Sequence, residues 1–234
     1  MPILPEYSRQ LPDGAHSTSS DDVVLSYHDY LLRSSDVSLL KKNDWLNDII
    51  IGFYFEYLDQ QYKKNGKSQL LFIGPGVAQL LKMQDFSQYH IFLDPIDAKS
   101  YDFLFFPLND CDSIEAGGSH WSLLIYSRTE EMCYHFDSSC NINSSIAKKF
   151  AQNIIRYFLG KQEARYTEMN CPQQNNSYDC GLFVLCLADV ISRYVLRASK
   201  ITDCDCSVVT KMVPQKRNDL LRLIYDLKAK SISA

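Results

Sequence analysis

The spacing of hydrophobic side chains predicts three long helices. After Asn43-Asp44, a candidate N-cap, apolar residues recur at offsets of 3, 4, 7 and 11, the spacing of one buried helix face. That face consists of Leu46, Ile49, Ile50, Phe53 and Tyr57. Residues 144–159 predict a second amphipathic helix, which Gly160 ends. Residues 180–196 are apolar nearly all round, so we expect a helix buried at the centre of the fold.

Shorter apolar runs predict strands and therefore an α+β fold. Residues 101–108 are rich in aromatic side chains, which is typical of a strand buried on both faces. Residues 119–126 and 131–137 are separated by one short turn and predict an antiparallel pair. Residues 165–169 predict a weaker strand, which leads into the polar segment before the central helix.

Two short helices are predicted nearer the N-terminus. Asp21 or Asp22 is a candidate N-cap for a helix over residues 24–32, and residues 34–40 then form a connection. Gly74-Pro75 predicts the start of another helix, because proline is favoured in the first turn.

The chain divides into a tail and a single domain. Residues 1–20 show no periodicity and contain several prolines and serines, so we expect a mobile tail. Residues 21–234, which end with a predicted helix over 214–228, form the domain. Hydrophobic side chains make up 46% of the 234 residues, enough to build one substantial core.

Charge and cysteine content restrict the functional classes. The net charge of −4 argues against nucleic acid as the main partner. No apolar run has the length of a membrane span, and the N-terminus lacks the pattern of a signal peptide. We therefore expect an intracellular protein, cytoplasmic or nuclear, whose eight cysteines are mostly free thiols. Cys204 and Cys206 form a lone C-x-C without a nearby histidine, so no zinc site is expected.

Cys180 stands where a turn-prone polar segment meets the predicted central helix. The first-turn N–H groups of a helix lack intrahelical partners and carry partial positive charge, which stabilises a thiolate there. Gly181 is expected to let another chain approach the thiol closely. The alternative interpretation is a small buried cysteine in an ordinary core helix, and this segment alone leaves both open.

A nucleophilic cysteine needs a base, and the base needs a partner that fixes its orientation. His120 and Asp137 lie on successive predicted strands, and paired strands are ~5 Å apart, so their side chains can meet if the register permits. His135 with Asp137 is the competing pair, although residues two apart in a strand point in parallel. A third interpretation is that His120 is a strand-end histidine bonded to a loop.

Gln174 is a candidate donor to the oxyanion of a tetrahedral intermediate. It lies six residues before Cys180, so its side-chain amide and the Cys180 backbone N–H are candidates for the two donors that such an oxyanion requires. The alternative is an amide that only stabilises its loop.

Four motifs occur in order along the chain. They are Trp45-Leu46-Asn47-Asp48, Gly118-Ser119-His120-Trp121-Ser122, His135-Phe136-Asp137-Ser138 and Gln174-x-Asn176-x-x-Asp179-Cys180-Gly181. They resemble the motifs of the ubiquitin-like-protein proteases, the sentrin/SUMO-protease family of cysteine peptidases, from about residue 23 to the last helix. The resemblance implies a papain-like α+β fold with a central antiparallel or mixed sheet, flanking helices and a buried helix headed by the nucleophile.

The same resemblance implies the site. Cys180 would be the nucleophile, His120 the base, Asp137 the residue that orients it, and Gln174 the oxyanion donor. Asn175 is a departure, because the deneddylases have a second glutamine there, and this weakens the assignment of Gln174.

The resemblance also implies how substrate would bind. Trp45 and Trp121 would flank a narrow channel for a Gly-Gly tail, since indole faces leave room only for residues without side chains. Asp48 would contact the tail beside that channel. No metal or other cofactor is implied.

Residues 24–53 and 173–180 look most like the deneddylase branch. The expected function is cleavage after the C-terminal Gly-Gly of a ubiquitin-like modifier. The modifier expected first among these is the neddylation modifier. Expected partners are that modifier and its conjugates, such as neddylated cullins, with no membrane and a monomeric enzyme. The nearest alternative is a SUMO-specific protease, and more distant ones are an acyltransferase and a catalytically silent binding module.

Overall fold

A mixed five-stranded sheet and a separate hairpin organise this computed structural model, which describes residues 21–66, 69–113, 117–163 and 165–232. The strands are β1 (Val23–Tyr27), β2 (Tyr30–Arg33), β3 (Leu70–Phe72), β4 (Phe103–Asn109), β5 (Trp121–Ser127), β6 (Met132–Phe136) and β7 (Tyr166–Glu168). β1 and β2 form the hairpin, and the sheet runs in the order β3-β4-β5-β6-β7. β4, β5 and β6 are antiparallel, whereas β3 and β7 run parallel to their neighbours.

Helices cover both faces of the sheet. They are α1 (Ser34–Lys41), α2 (Asp48–Lys64), α3 (Pro75–Met83), α4 (Tyr89–Leu93), α5 (Ser144–Leu159), α6 (Cys180–Ala198) and α7 (Val209–Ile232). Alternate side chains of β4 belong to different cores: Phe103 and Phe105 pack with α2, α6 and α7, while Leu104 and Phe106 pack with α3 and α5. α6 is therefore enclosed between the sheet and other helices, as its apolar sequence predicts.

Several predicted elements are confirmed. α3 begins at Pro75, α5 has the predicted bounds, and Gly160 ends α5 in the left-handed conformation with φ of 65°. The predicted strands β4 to β7 are present, with β5 and β6 antiparallel. α7 begins at Val209, earlier than predicted, so Pro214 lies inside the helix.

The prediction for residues 24–40 is wrong. Residues 24–32 form the β1–β2 hairpin, in which Leu25 pairs with Leu32 and both are buried. The predicted connection is helix α1, where the Asp36 carboxylate accepts the backbone N–H of Arg33 at 2.8 Å. In so short a segment, the buried positions fit a strand period as well as a helix period.

The cap of α2 also differs from the prediction. Asn47, rather than Asn43-Asp44, caps the helix by accepting the backbone N–H of Ile50 at 3.0 Å. Trp45 consequently lies in the loop before α2. The predicted tail, residues 1–20, lies outside the described residues. In the part of the chain that the structure describes, no helix is long and apolar enough to cross a membrane.

Candidate active site

An asparagine turn places Cys180 at the first position of α6. The Asn176 side-chain oxygen accepts the backbone N–H groups of Tyr178 and Asp179 at 3.1 and 3.0 Å, which folds the polar segment into the helix. Asp179 is the N-cap residue, and Cys180 is buried with 1% exposure. The sulfur thus lies beside the unpaired first-turn N–H groups of a helix that is itself fixed in the core.

The loop before β5 fixes His120. The Asp110 carboxylate accepts the backbone N–H groups of Ser119 and His120 at 2.6 and 3.0 Å. Gly118 allows this loop, because its φ is 84° and a Cβ there would lie 1.8 Å from the side-chain oxygen of Asn109. His120 is held by its backbone and precedes the first residue of β5.

Asp137 follows the last residue of β6, which lies beside the start of β5. His120 Nε2 is 2.6 Å from Asp137 Oδ1, and both residues are buried. The backbone N–H groups of Ser139 and Asn143 each donate to the Asp137 carboxylate at 2.9 Å. Burial alone would raise the pKa of Asp137, but the hydrogen bonds from His120, Asn143 and Ser139 outweigh it and lower that pKa.

The hydrogen bonds of His120 favour its protonated form. Burial lowers the pKa of His120, but hydrogen bonds with the Asp137 carboxylate and the Cys180 sulfur outweigh burial and raise the pKa to about 9. Because Nε2 bonds Asp137, Nδ1 is the ring nitrogen left for the sulfur. The imidazole can therefore exchange a proton with the Cys180 sulfur, which is the role of a base beside a nucleophilic thiol.

His135, the competing histidine, has other partners. Its Nδ1 lies 2.8 Å from Glu168 and its Nε2 lies 2.9 Å from Ser122 Oγ. Since both ring nitrogens are engaged in this way, the pairing of His135 with Asp137 does not form.

Two adjacent glutamines link the nucleophile's loop to the segment after β6. Gln174 Oε1 accepts the Ser138 hydroxyl at 2.8 Å, and its Nε2 donates to the Asn176 carbonyl at 2.7 Å. An amide nitrogen has two hydrogens, so the second remains available as a donor. Gln173 Nε2 donates to the Asp137 carbonyl at 2.9 Å, and its Oε1 accepts the Cys140 backbone N–H.

A groove of about 460 Å³ brings together the three predicted substrate-binding residues, Trp45, Asp48 and Trp121. Trp45 is 51% exposed, and its indole N–H donates to the Ser177 carbonyl. Trp121 is buried at the other wall, with Nε1 3.0 Å from the Leu46 carbonyl. Asp48 is exposed on the first turn of α2.

The role predicted for Gly181 differs from what the structure shows. A Cβ at this position would lie 2.9 Å from the Leu46 Cβ, so the glycine lets the Trp45 loop pack against α6. Its smallness serves internal packing at this contact.

Sequence reasoning missed Asp110, Asn143 and Gln173. Each is an ordinary polar loop residue, and only the fold brings its hydrogen bonds to the site. Among the described residues, no group of three or more histidine, cysteine and acidic side chains could hold a metal ion.

Comparisons with known proteins agree on one family. Residues 44–223 match the model of the Ulp1 protease family, C-terminal catalytic domain. Sentrin-specific protease 8 from Homo sapiens is 40% identical over 180 residues, covering 76% of this chain and 84% of that protein. NEDD8-specific protease 1 from Arabidopsis thaliana is 32% identical over 227 residues, covering 93% and 99%.

A solved structure shares the fold. The C-terminal Ulp1 protease domain, in complex with the yeast ortholog of SUMO, superposes with a TM-score of 0.67 and 19% identity, covering 90% of each chain. This agreement confirms the predicted α+β protease fold, with its mixed sheet and flanking helices. Together with the family match over residues 44–223, it shows that the chain belongs to the Ulp1 family of cysteine proteases.

Proposed function

We propose that this protein is a deneddylating peptidase that cleaves after the C-terminal Gly-Gly of a NEDD8-type modifier. The observation that carries the chemistry is the 2.6 Å contact between His120 and Asp137, with the Cys180 sulfur close enough to the same imidazole to help raise the pKa of His120. The modifier class rests on the relatives, which include sentrin-specific protease 8 and NEDD8-specific protease 1.

Cys180 would be the nucleophile and His120 the proton donor and acceptor. The thiolate attacks the carbonyl carbon of the terminal glycine, and the His120 imidazolium protonates the departing amine as the C–N bond breaks. The product is a thioester on Cys180. Neutral His120 then takes a proton from water as the water oxygen attacks the thioester carbon. The C–S bond breaks, the acid product leaves, and the thiolate and the His120 imidazolium are restored. Asp137 keeps the imidazole oriented through both steps.

The oxyanion of each tetrahedral intermediate requires two donors. The Cys180 backbone N–H and the free hydrogen of the Gln174 amide are the donors we assign. Gln174 is already oriented by Ser138 and Asn176, so it needs little rearrangement to serve.

The groove would favour a substrate tail made of glycine residues. Trp45 and Trp121 would cover the Gly-Gly tail, and Asp48 would bind its backbone or a basic side chain further along. The expected partners are therefore the modifier, its precursor and its conjugates, such as neddylated cullins, inside the cell. We expect the protein to act as a monomer.

A panel of fluorogenic fusions tests this proposal. NEDD8, SUMO and ubiquitin, each carrying a C-terminal fluorophore, are incubated with the wild-type protein and with Cys180→Ala. We expect hydrolysis of the NEDD8 fusion by the wild type alone. Preferred hydrolysis of the SUMO fusion would reassign the modifier, whereas hydrolysis by Cys180→Ala would overturn the mechanism. Tight binding without any hydrolysis by the wild type would identify a silent binding module.

A further inference from the structure

One arginine of α7 reaches both the groove wall and the segment that carries the nucleophile. Arg217 Nη1 donates to the Leu39 carbonyl at 2.8 Å, and Nη2 donates to the Asp44 carbonyl at 2.8 Å. Nη2 also lies 3.0 Å from Asp179 Oδ1. Asp44 immediately precedes Trp45, and Asp179 immediately precedes Cys180. The guanidinium therefore joins the two segments whose separation sets the position of Trp45 relative to the sulfur.

The chemistry of this contact requires an arginine. The side chain is 13% exposed, and its planar fork directs several N–H groups at acceptors from three segments. A lysine would keep the charge but could not reach these acceptors in the same geometry. The guanidinium carbon also lies 5.8 Å from the centre of the Tyr178 ring, next to the Asn176 turn.

The acceptors are themselves held in place. The other oxygen of Asp179 accepts a hydrogen bond from Asn176 Nδ2 at 2.9 Å, so the carboxylate is held between the turn and Arg217. On the opposite side, the Trp45 indole N–H donates to the Ser177 carbonyl. The Trp45 loop and the turn before Cys180 are thus joined twice, by the Trp45–Ser177 hydrogen bond and by the hydrogen bonds of Arg217.

We propose that Arg217 is a positioning residue that sets the distance between the Trp45 wall of the groove and Cys180. It does not bond the sulfur, because its hydrogen bonds go to Asp179 and Asp44, which precede Cys180 and Trp45, and to Leu39 at the edge of the groove. Its effect on turnover rests on the proposed function, since the tail must pass Trp45 to reach the sulfur. The His120–Asp137 pair has no bond to Arg217 among the described residues, so the intrinsic reactivity of the thiol is expected to be unaffected.

The test compares Arg217→Lys with Arg222→Lys. Arg222 lies on the exposed side of the same helix, which makes it a matched control. Displacements of about 1 Å can slow an enzyme on the order of 100-fold, so we expect kcat/KM for the modifier fusion to fall about 10- to 100-fold in Arg217→Lys. The rate at which iodoacetamide alkylates Cys180, followed by mass spectrometry of its peptide, should change less than about twofold. Arg222→Lys should leave both values unchanged.

A second measurement does not depend on the substrate. Hydrogen exchange in peptides covering residues 42–47 and 175–181 should be faster in Arg217→Lys than in the wild type and in Arg222→Lys. Unchanged exchange would overturn the positioning role, even if the modifier proved to be a different one. Faster exchange with unchanged kcat/KM would overturn its effect on catalysis, provided that the wild type hydrolyses the fusion.

Asp179→Asn and the double variant with Arg217→Lys complete the test. If both residues act through one contact, the double variant should lose no more kcat/KM than the worse single variant. Fully additive losses would show that Arg217 acts elsewhere. An equal loss in hydrolysis and in alkylation would indicate general disruption of the site and would also contradict the proposal.

Discussion

Two buried histidines lie beside the same pair of strands, and each bonds a carboxylate, yet their surroundings differ. His120 bonds Asp137 at 2.6 Å, and the Cys180 sulfur beside its ring helps to raise the pKa of this histidine. His135 bonds Glu168 at 2.8 Å and Ser122 Oγ at 2.9 Å. The second set has the serine–histidine–acid connectivity of a hydrolase. Ser122 and Cys180 are equally buried, at 1% exposure each, so exposure does not separate them. Ser122 differs because it lies within the central strand β5 and its Oγ is already bonded by both His135 and Asn143.

Hydrogen-bond connectivity is therefore not enough to identify a catalytic group. A reacting atom must also be reached by substrate, and its charge must be stabilised where it forms. Cys180 is the first residue of α6, and the next residue, Gly181, packs against Leu46 of the groove, whereas Ser122 lies within a central strand. The two sets are also connected, because Asn143 donates from its side chain to Ser122 Oγ at 3.0 Å and from its backbone to Asp137. The His135 set thus supports the residue that orients His120.

The largest difference in hydrolysis is expected between variants of Cys180 and Ser122, the thiol and the hydroxyl of the two sets. Cys180→Ala should reduce hydrolysis of a modifier fusion by at least about 10⁴-fold, because no other group can form the thioester. Ser122→Ala should retain activity within about tenfold, a barrier change of about 1.4 kcal/mol. Both rates are measured under single-turnover conditions. If Ser122→Ala were inactive while folded and Cys180→Ala were active, the assignment of the two sets would be reversed.

The two acid partners should differ by a smaller factor. Asp137→Ala leaves the imidazole without its orienting carboxylate, so we expect kcat to fall about 10²- to 10⁴-fold. Glu168→Gln keeps the shape of the side chain beside His135 and should reduce kcat less than about tenfold. Steady-state kinetics with the same fusion measure both. A silent Asp137→Ala together with an inactive His135→Ala would restore the competing assignment.

The parts of this fold that local sequence predicts are those whose signals lie within one segment. The apolar run of α6 and the Gly160 end of α5 are examples, and both elements form as predicted. The β1–β2 hairpin is not predicted, because the apolar positions of residues 24–32 fit a helix period as well as a strand period. The pairing of Leu25 with Leu32, which decides between them, is visible only in three dimensions.

The same distinction applies to the site. Cys180, His120 and Asp137 stand in short motifs, whereas Asp110 and Arg217 carry no local signal. Asp110 bonds the backbone of His120 across a loop, and Arg217 bonds carbonyls more than 170 positions earlier in the chain. Contacts between such distant residues depend on the packing of whole elements. A single sequence therefore predicts the reacting groups more readily than the groups that hold them.

The pH dependence of stability tests the pairing of His120 with Asp137. The pKa of His120 is raised from 6.5 to about 9, so its protonation stabilises the folded protein fully below pH 6.5, and this contribution is lost as the pH rises through 9. Urea unfolding of the wild type should therefore show a decline between these values that is smaller in His120→Gln. An identical profile for wild type and His120→Gln would contradict the ion-pair description of the site.

The smallest effect on turnover is expected from the His135 set itself. His135→Gln removes the ring that bonds Glu168 and Ser122 at a position with 0% exposure, and a hydrogen bond to a charged group such as Glu168 typically contributes about 1.5–3 kcal/mol. We expect a lower free energy of unfolding by about that amount but a loss of kcat below about tenfold. This small loss of kcat should arise through Asn143. Asn143→Ala keeps the backbone N–H to Asp137 but removes the bond to Ser122, so it should show the same loss. A loss of kcat in His135→Gln as severe as in Asp137→Ala, at unchanged stability, would mean that the His135 set takes part directly in the reaction. The distinction between the two histidines would then be wrong.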